Sequence, residues 1–314
     1  MEKTAQGIKA ILPVAKSKVS ICAVIVTYHP AVEIIENVSA LLEQVDVVVL
    51  VDNGSGLATK GLLDKLRSYA KVSVIYNQEN LGIAAALNIG VKKAKDDGYQ
   101  WVATFDQDSQ ATPHMIEMML QAYGAYPQKE KIASLSPRYK DKNTGVVSVS
   151  QATSFSGDRL PYIEVEVIIT SGNLVKTSVF DTVGYFSEEL FIDYVDTEYC
   201  LRCITHGYKI LEVIDAILLH DVGTPSQHNL FWKKFIISNH SALRRYYFAR
   251  NAIYTYRRYI LKQPLWIIKN AYILVKIAIM VALFETDRRK KMAALIRGFV
   301  DGLLGKMGKC SRTI

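Results

Sequence analysis

Four short apolar runs punctuate the first 110 residues, at 19–27, 46–52, 72–76 and 101–106, and each is rich in Val and Ile. Between them lie stretches of helical periodicity at about 31–44, 59–69 and 82–96. Continuous apolar strands alternating with helices predict a mostly parallel sheet covered on both faces, the α/β class. Each run ends in polar residues: Thr27-Tyr28, Asp52-Asn53-Gly54-Ser55, then Asn80-Leu81-Gly82 after the third, and Asp106-Gln107-Asp108. Parallel strands present their carboxyl ends on one rim, where open α/β sheets bind ligands, so these groups are expected to meet in one cleft. A later apolar run, 165–170, predicts a strand leading into Ser171-Gly172-Asn173, and another, 216–219, ends at His220.

Asp106 and Asp108 carry the sharpest chemistry. Two carboxylates one residue apart at a strand end can hold Mg²⁺ or Mn²⁺, hard cations that take few protein ligands and share the rest with substrate phosphates. The plainer alternative is a turn in which Ser109 or Thr112 caps the next helix ahead of Pro113.

The ordered set Val26-Thr27-Tyr28, Val51-Asp52-Asn53-Gly54-Ser55, Asn80-Leu81-Gly82, Asp106-Gln107-Asp108 and the block 170–202 resembles the inverting nucleotide-sugar glycosyltransferases of family two, which have the GT-A fold. Thr27-Tyr28-His29-Pro30 and the segment from Phe191 to Tyr199 look most like the L-rhamnosyltransferase branch, and the resemblance covers roughly 19–225. It implies transfer of L-rhamnose from a dTDP-sugar to a lipid-linked or oligosaccharide acceptor in surface polysaccharide synthesis. Another UDP- or dTDP-sugar is the alternative donor. By the same resemblance Thr27 and Tyr28 border the base, Asp52 meets the pyrimidine or its ribose, and Asn80 and Gly82 open a helix facing the diphosphate. Asp106, Asp108 and His220 would ligate Mn²⁺ or Mg²⁺; imidazole suits Mn²⁺ better. The general base falls on Asp196, with the extra acid Asp193 as alternative, because Val195 replaces the first member of the family's acidic pair. Glu198 is expected to pair with Arg202 at i, i+4, and Gly172 and Asn173 to line the acceptor side. Leu87 stands where many relatives have Arg, and no Gln-x-x-Arg-Trp follows, so processive synthesis is not expected. Two other classes were weighed. A sugar-nucleotide pyrophosphorylase would open on a glycine-rich basic loop, absent at 27–30; a non-catalytic scaffold would have little use for the retained acids.

Charge divides the chain. From Phe231 onward 18 Lys/Arg face three acids, Glu285, Asp287 and Asp301, whereas the preceding part is mildly acidic. The division suggests an extension at 1–18, a catalytic domain at 19–230 and a basic helical region at 231–314. The stretch 265–284 is long enough to span a bilayer, but Lys269, Asn270 and Lys276 interrupt it. Lys262, Lys269 and Lys276 recur every seven residues, on one helix face. With Arg288-Arg289-Lys290-Lys291 beyond, this reads as a helix lying on an anionic membrane surface; a buried helix or contact with a second copy is the alternative, and nucleic acid is not expected. The start lacks a signal-peptide pattern, which makes a cytoplasmic, membrane-peripheral enzyme the expectation. Cys200 and Cys203 read as core cysteines rather than a metal or redox pair.

Overall fold

A computed structural model describes residues 19–150, 160–220, 226–230, 233–237, 239–312 and 314. The expected extension at 1–18 lies outside the described residues. The chain runs β1 (Ile21–Thr27), α1 (Ile34–Leu42), β2 (Val47–Asp52), α2 (Lys60–Arg67), β3 (Val72–Tyr76), α3 (Ile83–Asp96), β4 (Trp101–Asp106), β5 (Gln110–Ala111), α4 (Met115–Ala125) and β6 (Ile132–Asp141). It continues through β7 (Tyr162–Val165), β8 (Asn173–Lys176), α5 (Val179–Val183), α6 (Val195–Thr205), β9 (Lys209–His220), β10 (Ser226–Leu230) and β11 (Lys233–Ile237). Three helices close it: α7 (Ala242–Tyr259), α8 (Pro264–Phe284) and α9 (Arg288–Leu304).

The main sheet has the order β3-β2-β1-β4-β8-β6-β9-β5, with β7 also on β9. β3, β2, β1 and β4 are parallel, as expected; β8 is antiparallel to β4, so the sheet as a whole is mixed. Both faces of β1 are buried, Ile21, Ala23 and Ile25 in one apolar cluster and Cys22, Val24 and Val26 in the other. This is why the strand is apolar throughout rather than alternating. In register, Thr27 lies beside Asp52 and Val26 beside Asp106, which gathers the polar strand ends on one rim.

The run at 165–170 is not a strand. Strand β7 ends at Val165 and β8 begins at Asn173, with a loop between. The expected boundary at 230 also falls inside a feature, the antiparallel β10–β11 hairpin, and the helical part starts at Ala242.

The C-terminal helices are less of an appendage than their charge suggests. The mixed basic and aromatic face of α7 is interior: Arg245, Tyr246, Tyr247, Arg250 and Asn251 are all buried. α9 packs closely along α7 because a Cβ on Gly298 or Gly302 would run into the backbone carbonyls of Tyr246 or Arg250. Glu285 bridges Arg245 and Lys291, so Lys291 is buried and leaves the expected surface cluster with Arg288, Arg289 and Lys290.

Candidate active site

Asp106 closes β4, Asp108 follows in the turn, and His220 closes β9. Each offers one ligand atom, and these atoms all lie within 4.8 Å of one another. The donor set of two carboxylates and an imidazole suits Mn²⁺, and the carboxylates alone suit Mg²⁺. Nδ1 of His220 lies 2.7 Å from Ser109 Oγ and 3.6 Å from Asp108 Oδ1. Ser171 Oγ donates to Ser109 Oγ (2.7 Å) and accepts from the Asp106 amide (3.1 Å). These serines orient the imidazole as partners behind a metal ligand usually do. Burial and the nearby charges of Asp108 and Asp196 push the Asp106 carboxyl up to about 7, with Arg244 opposing. Three crowded carboxylates form a site that a cation would relieve.

Beside this cluster, Tyr28, Asn80, Gly82, Asp106 and Asp108 border a small pocket of about 210 Å³, with Phe191 and Ile192 on its wall. Gln107, the residue between the two acids, clips Tyr28 from both sides: its Oε1 accepts from the Tyr28 amide (2.8 Å) and its Nε2 donates to the Tyr28 carbonyl (3.2 Å). Thr27 and Asp52 lie behind the pocket, both buried. Thr27 Oγ1 donates to Asp52 (3.2 Å), and Ser55 donates to Asp52 through its hydroxyl and through its amide (3.1 Å). Asp52 therefore holds its loop in shape. Asn53, also buried, ties down the next loop by accepting from the Leu81 amide (3.0 Å) and donating to Asn80 Oδ1 (3.1 Å) and the Gly82 carbonyl (3.2 Å).

Gly82 has φ +89°, and a Cβ there would come 2.6–2.9 Å from Phe191. The close approach is thus to this chain's own loop. The Ile83 amide at the start of α3, expected to face the cleft, donates to the Phe191 carbonyl (2.7 Å).

That loop carries Asp193 and leads into α6, whose first turn carries Asp196, the other candidate base. Phe191, Asp193 and Tyr194 all have φ near +64°, unusual for residues with side chains. Asn251 on α7 compensates: its Nδ2 donates to the carbonyls of Leu190, Ile192 and Asp193 at 2.7–2.9 Å. Arg250 adds bonds to the carbonyls of Glu189 and Leu190. Arg244 grips both oxygens of Asp193, at 2.6 and 3.0 Å. Among the described residues no cation pairs with Asp196; one oxygen accepts from the amide (2.7 Å) and hydroxyl (3.3 Å) of Thr197. Burial raises the Asp196 carboxyl, Thr197 partly opposes this, and Asp193 adds to it. Glu198 pairs with Arg202 as expected, at 2.8 and 3.2 Å, and also accepts from Tyr259 (2.8 Å).

The acceptor-side loop is placed differently. The Asn173 side chain is buried and accepts from Ser134, and Gly172 fits against Pro137 and Leu218 while its amide donates to Thr104 (2.7 Å). Both serve the sheet rather than the cleft wall.

The model of the family described as "Glycosyl transferase family 2" matches residues 22–184, half of the chain. The chain is also 32% identical over 302 residues to the dTDP-rhamnosyl transferase RfbF of Shigella flexneri, covering 92% of this chain and 97% of that one. The chain belongs to glycosyl transferase family 2. An uncharacterized glycosyltransferase, YwdF of Bacillus subtilis, is 27% identical, with 65% of this chain and 74% of that protein covered. Among solved structures, GalNAc-T7 with UDP, GalNAc and Mn²⁺ superposes with a TM-score of 0.58 at 14% identity, covering 77% of this chain and 48% of that one. S. aureus TarS 1–349 with UDP-GlcNAc superposes with a TM-score of 0.51 at 15% identity, covering 91% and 73%. The fold is GT-A, with helices added at its C-terminus. The enzyme is a glycosyltransferase.

For this family 2 enzyme, the sequence motifs named the rim residues but not those that hold them. Gln107 and Ser171 stood inside the motifs without a role and Ser109 only as a candidate helix cap, whereas Arg244, Arg250 and Asn251 come from α7, 51–61 residues beyond the loop they grip. Cys200 and Cys203 are buried free thiols, as expected.

Proposed function

We propose that the enzyme transfers L-rhamnose from dTDP-L-rhamnose, with inversion, to a hydroxyl of a lipid-linked or oligosaccharide acceptor in surface polysaccharide synthesis. The observation that carries the donor assignment is the 32% identity with a dTDP-rhamnosyl transferase along nearly the whole of both chains. Mn²⁺ or Mg²⁺ held by Asp106, Asp108 and His220 would supply charge neutralisation for the departing diphosphate. Tyr28, Asn80 and Gly82 border the nucleotide, and Thr27 and Asp52 shape that border from behind.

Asp196 is the base. It takes the proton of the acceptor hydroxyl as that oxygen bonds to the sugar's anomeric carbon, on the face opposite the breaking bond to the diphosphate. dTDP leaves with the electron pair. A carboxylate whose pKa is raised is the better proton acceptor, and among the described residues no cation pairs with Asp196 as Arg244 does with Asp193.

On this reading catalysis belongs to the region 19–230 and membrane contact to the basic helical region 231–314. Among the described residues, Pro264–Phe284 is the one helix long and apolar enough to cross a membrane, with a mean hydropathy of 2.0. Leu265, Ile268, Tyr272 and Ile279 are exposed on α8, and so are Lys269 and Lys276. Apolar residues bordered by a lysine stripe favour a helix lying in the interface of an anionic membrane, with the enzyme peripheral on the cytoplasmic face.

A screen of dTDP- and UDP-sugars for nucleotide release tests the donor. dTDP-L-rhamnose should be turned over at least ~10-fold faster than any UDP-sugar; preference for a UDP-sugar would overturn the assignment.

A further inference from the structure

Beside Asp196 lies a groove of about 540 Å³, a volume usual for small-ligand sites, whose lining shares no residue with that of the nucleotide pocket. One part of its lining is polar: the carboxylates Glu166, Asp193 and Asp196, with Lys269 from α8. Another is apolar: Phe248 from α7 with Ile273 and Ile277 from α8. The α8 residues lie four apart, on one stripe of that helix. The groove thus joins the candidate base to the helix expected at the membrane, and neither Gly172 nor Asn173 lines it.

We propose that this groove is the acceptor site and that it takes an amphiphile, a sugar carried on an apolar chain. The inference deepens the function proposed above and rests on Asp196 as the base. Carboxylates accept hydrogen bonds from sugar hydroxyls and an ammonium can donate to them, so the polar part, Glu166, Asp193, Asp196 and Lys269, fits a sugar. The Phe248–Ile273–Ile277 surface fits the aglycone, because burying such side chains against a hydrocarbon removes apolar area from water. α8 then does two things at once: Lys276 stays exposed outside the groove, and the stripe of Lys269, Ile273 and Ile277 walls the path to the base.

The test is photolabelling of the full chain with decyl glucoside bearing a diazirine at the end of its alkyl chain. Label is expected on Phe248, Ile273 or Ile277. Unlabelled decyl glucoside should suppress it, methyl glucoside should not, and Ile273→Glu or the milder Ile273→Gln should lower it ~10-fold or more. Label confined to the outer residues Leu265, Ile268 and Leu283, or equal label in both variants, would overturn the proposal. The wild-type label map decides the question even if a variant folds poorly. Calorimetry with dTDP and Mn²⁺ on the same preparation reports the donor site separately. Groove labelling without nucleotide binding would support the groove and count against the donor reading; nucleotide binding with labelling elsewhere would overturn the groove alone.

Discussion

Arg244 holds Asp193 by both carboxylate oxygens, three residues before Asp196, whose carboxylate accepts only from Thr197 among the bonds described. Two acids that the sequence leaves as alternatives are thereby given different tasks. Asp193 is bound into a charge-assisted fork that fixes the loop; on the proposed mechanism Asp196 keeps an oxygen for a proton. Asp196→Asn should bind dTDP as the wild type does while transfer falls by at least ~10²-fold. Asp193→Asn weakens the fork and should cost less. A dead Asp193→Asn beside an active Asp196→Asn would reverse the assignment.

The metal cluster predicts a graded series. Asp108→Ala should abolish Mn²⁺ binding measured by calorimetry. Ser109→Ala, which removes only the hydroxyl bonded to His220, should weaken it by about 10–100-fold, the usual cost of losing a group behind a ligand. Equal Mn²⁺ affinity in Ser109→Ala would mean the serines do not orient the imidazole.

The raised Asp106 carboxyl has a pH signature in metal-free protein. Its folded pKa, about 7, lies above its ordinary value, so the folded state binds the extra proton between about pH 4 and 7. Ionisation across that window costs stability as pH rises. Asp106→Asn removes this cost and should be more stable than the wild type at pH 8 by roughly 1–3 kcal/mol. The gap should close as pH falls toward 4. Thermal melts in chelator at several pH values check this, and a gap independent of pH would refute it.

Asn251 holds three carbonyls of the loop before Asp196 from a fully buried position on α7. Asn251→Ala leaves buried carbonyls without a donor and should cost roughly 2–4 kcal/mol of stability. Transfer should fall with it, while dTDP affinity changes little. Unaltered melting and turnover would show that the loop does not depend on α7.

Much of this was legible in the sequence, for physical reasons specific to each part. The parallel half of the sheet is written as apolar runs because β1, β2 and β4 are buried on both faces, and the rim residues follow from where those runs end. β8 was missed because it starts with the polar Asn173, whose side chain is satisfied inside the sheet by Ser134, while the apolar run before it belongs to a loop. The interior place of α7 is not legible in the sequence, because Arg and Tyr read as surface until their partners are known. Its contacts with Leu190, Ile192 and Asp193 span some 60 residues, and no local pattern encodes them.

The place of α8 changes how membrane binding should be tested. Truncation from Leu265 would remove Trp266 and Ile267 from a buried cluster and strip a wall from the groove. Charge reversal is cleaner. Lys262→Glu with Lys276→Glu should abolish flotation with anionic liposomes while leaving the melting temperature nearly unchanged, and wild-type flotation should weaken with salt. Unchanged flotation with a smaller oligomer in light scattering would point instead to contact between two copies.

On the proposed mechanism a divalent cation on Asp106, Asp108 and His220 binds the donor's diphosphate for rhamnosyl transfer. The most direct measurement is dTDP release from dTDP-L-rhamnose by the wild type in Mn²⁺, in EDTA, and after Mn²⁺ is restored. Release should stop in EDTA, return with Mn²⁺, and be absent from Asp108→Ala under all three conditions. Full release in EDTA, or by Asp108→Ala, would contradict the account.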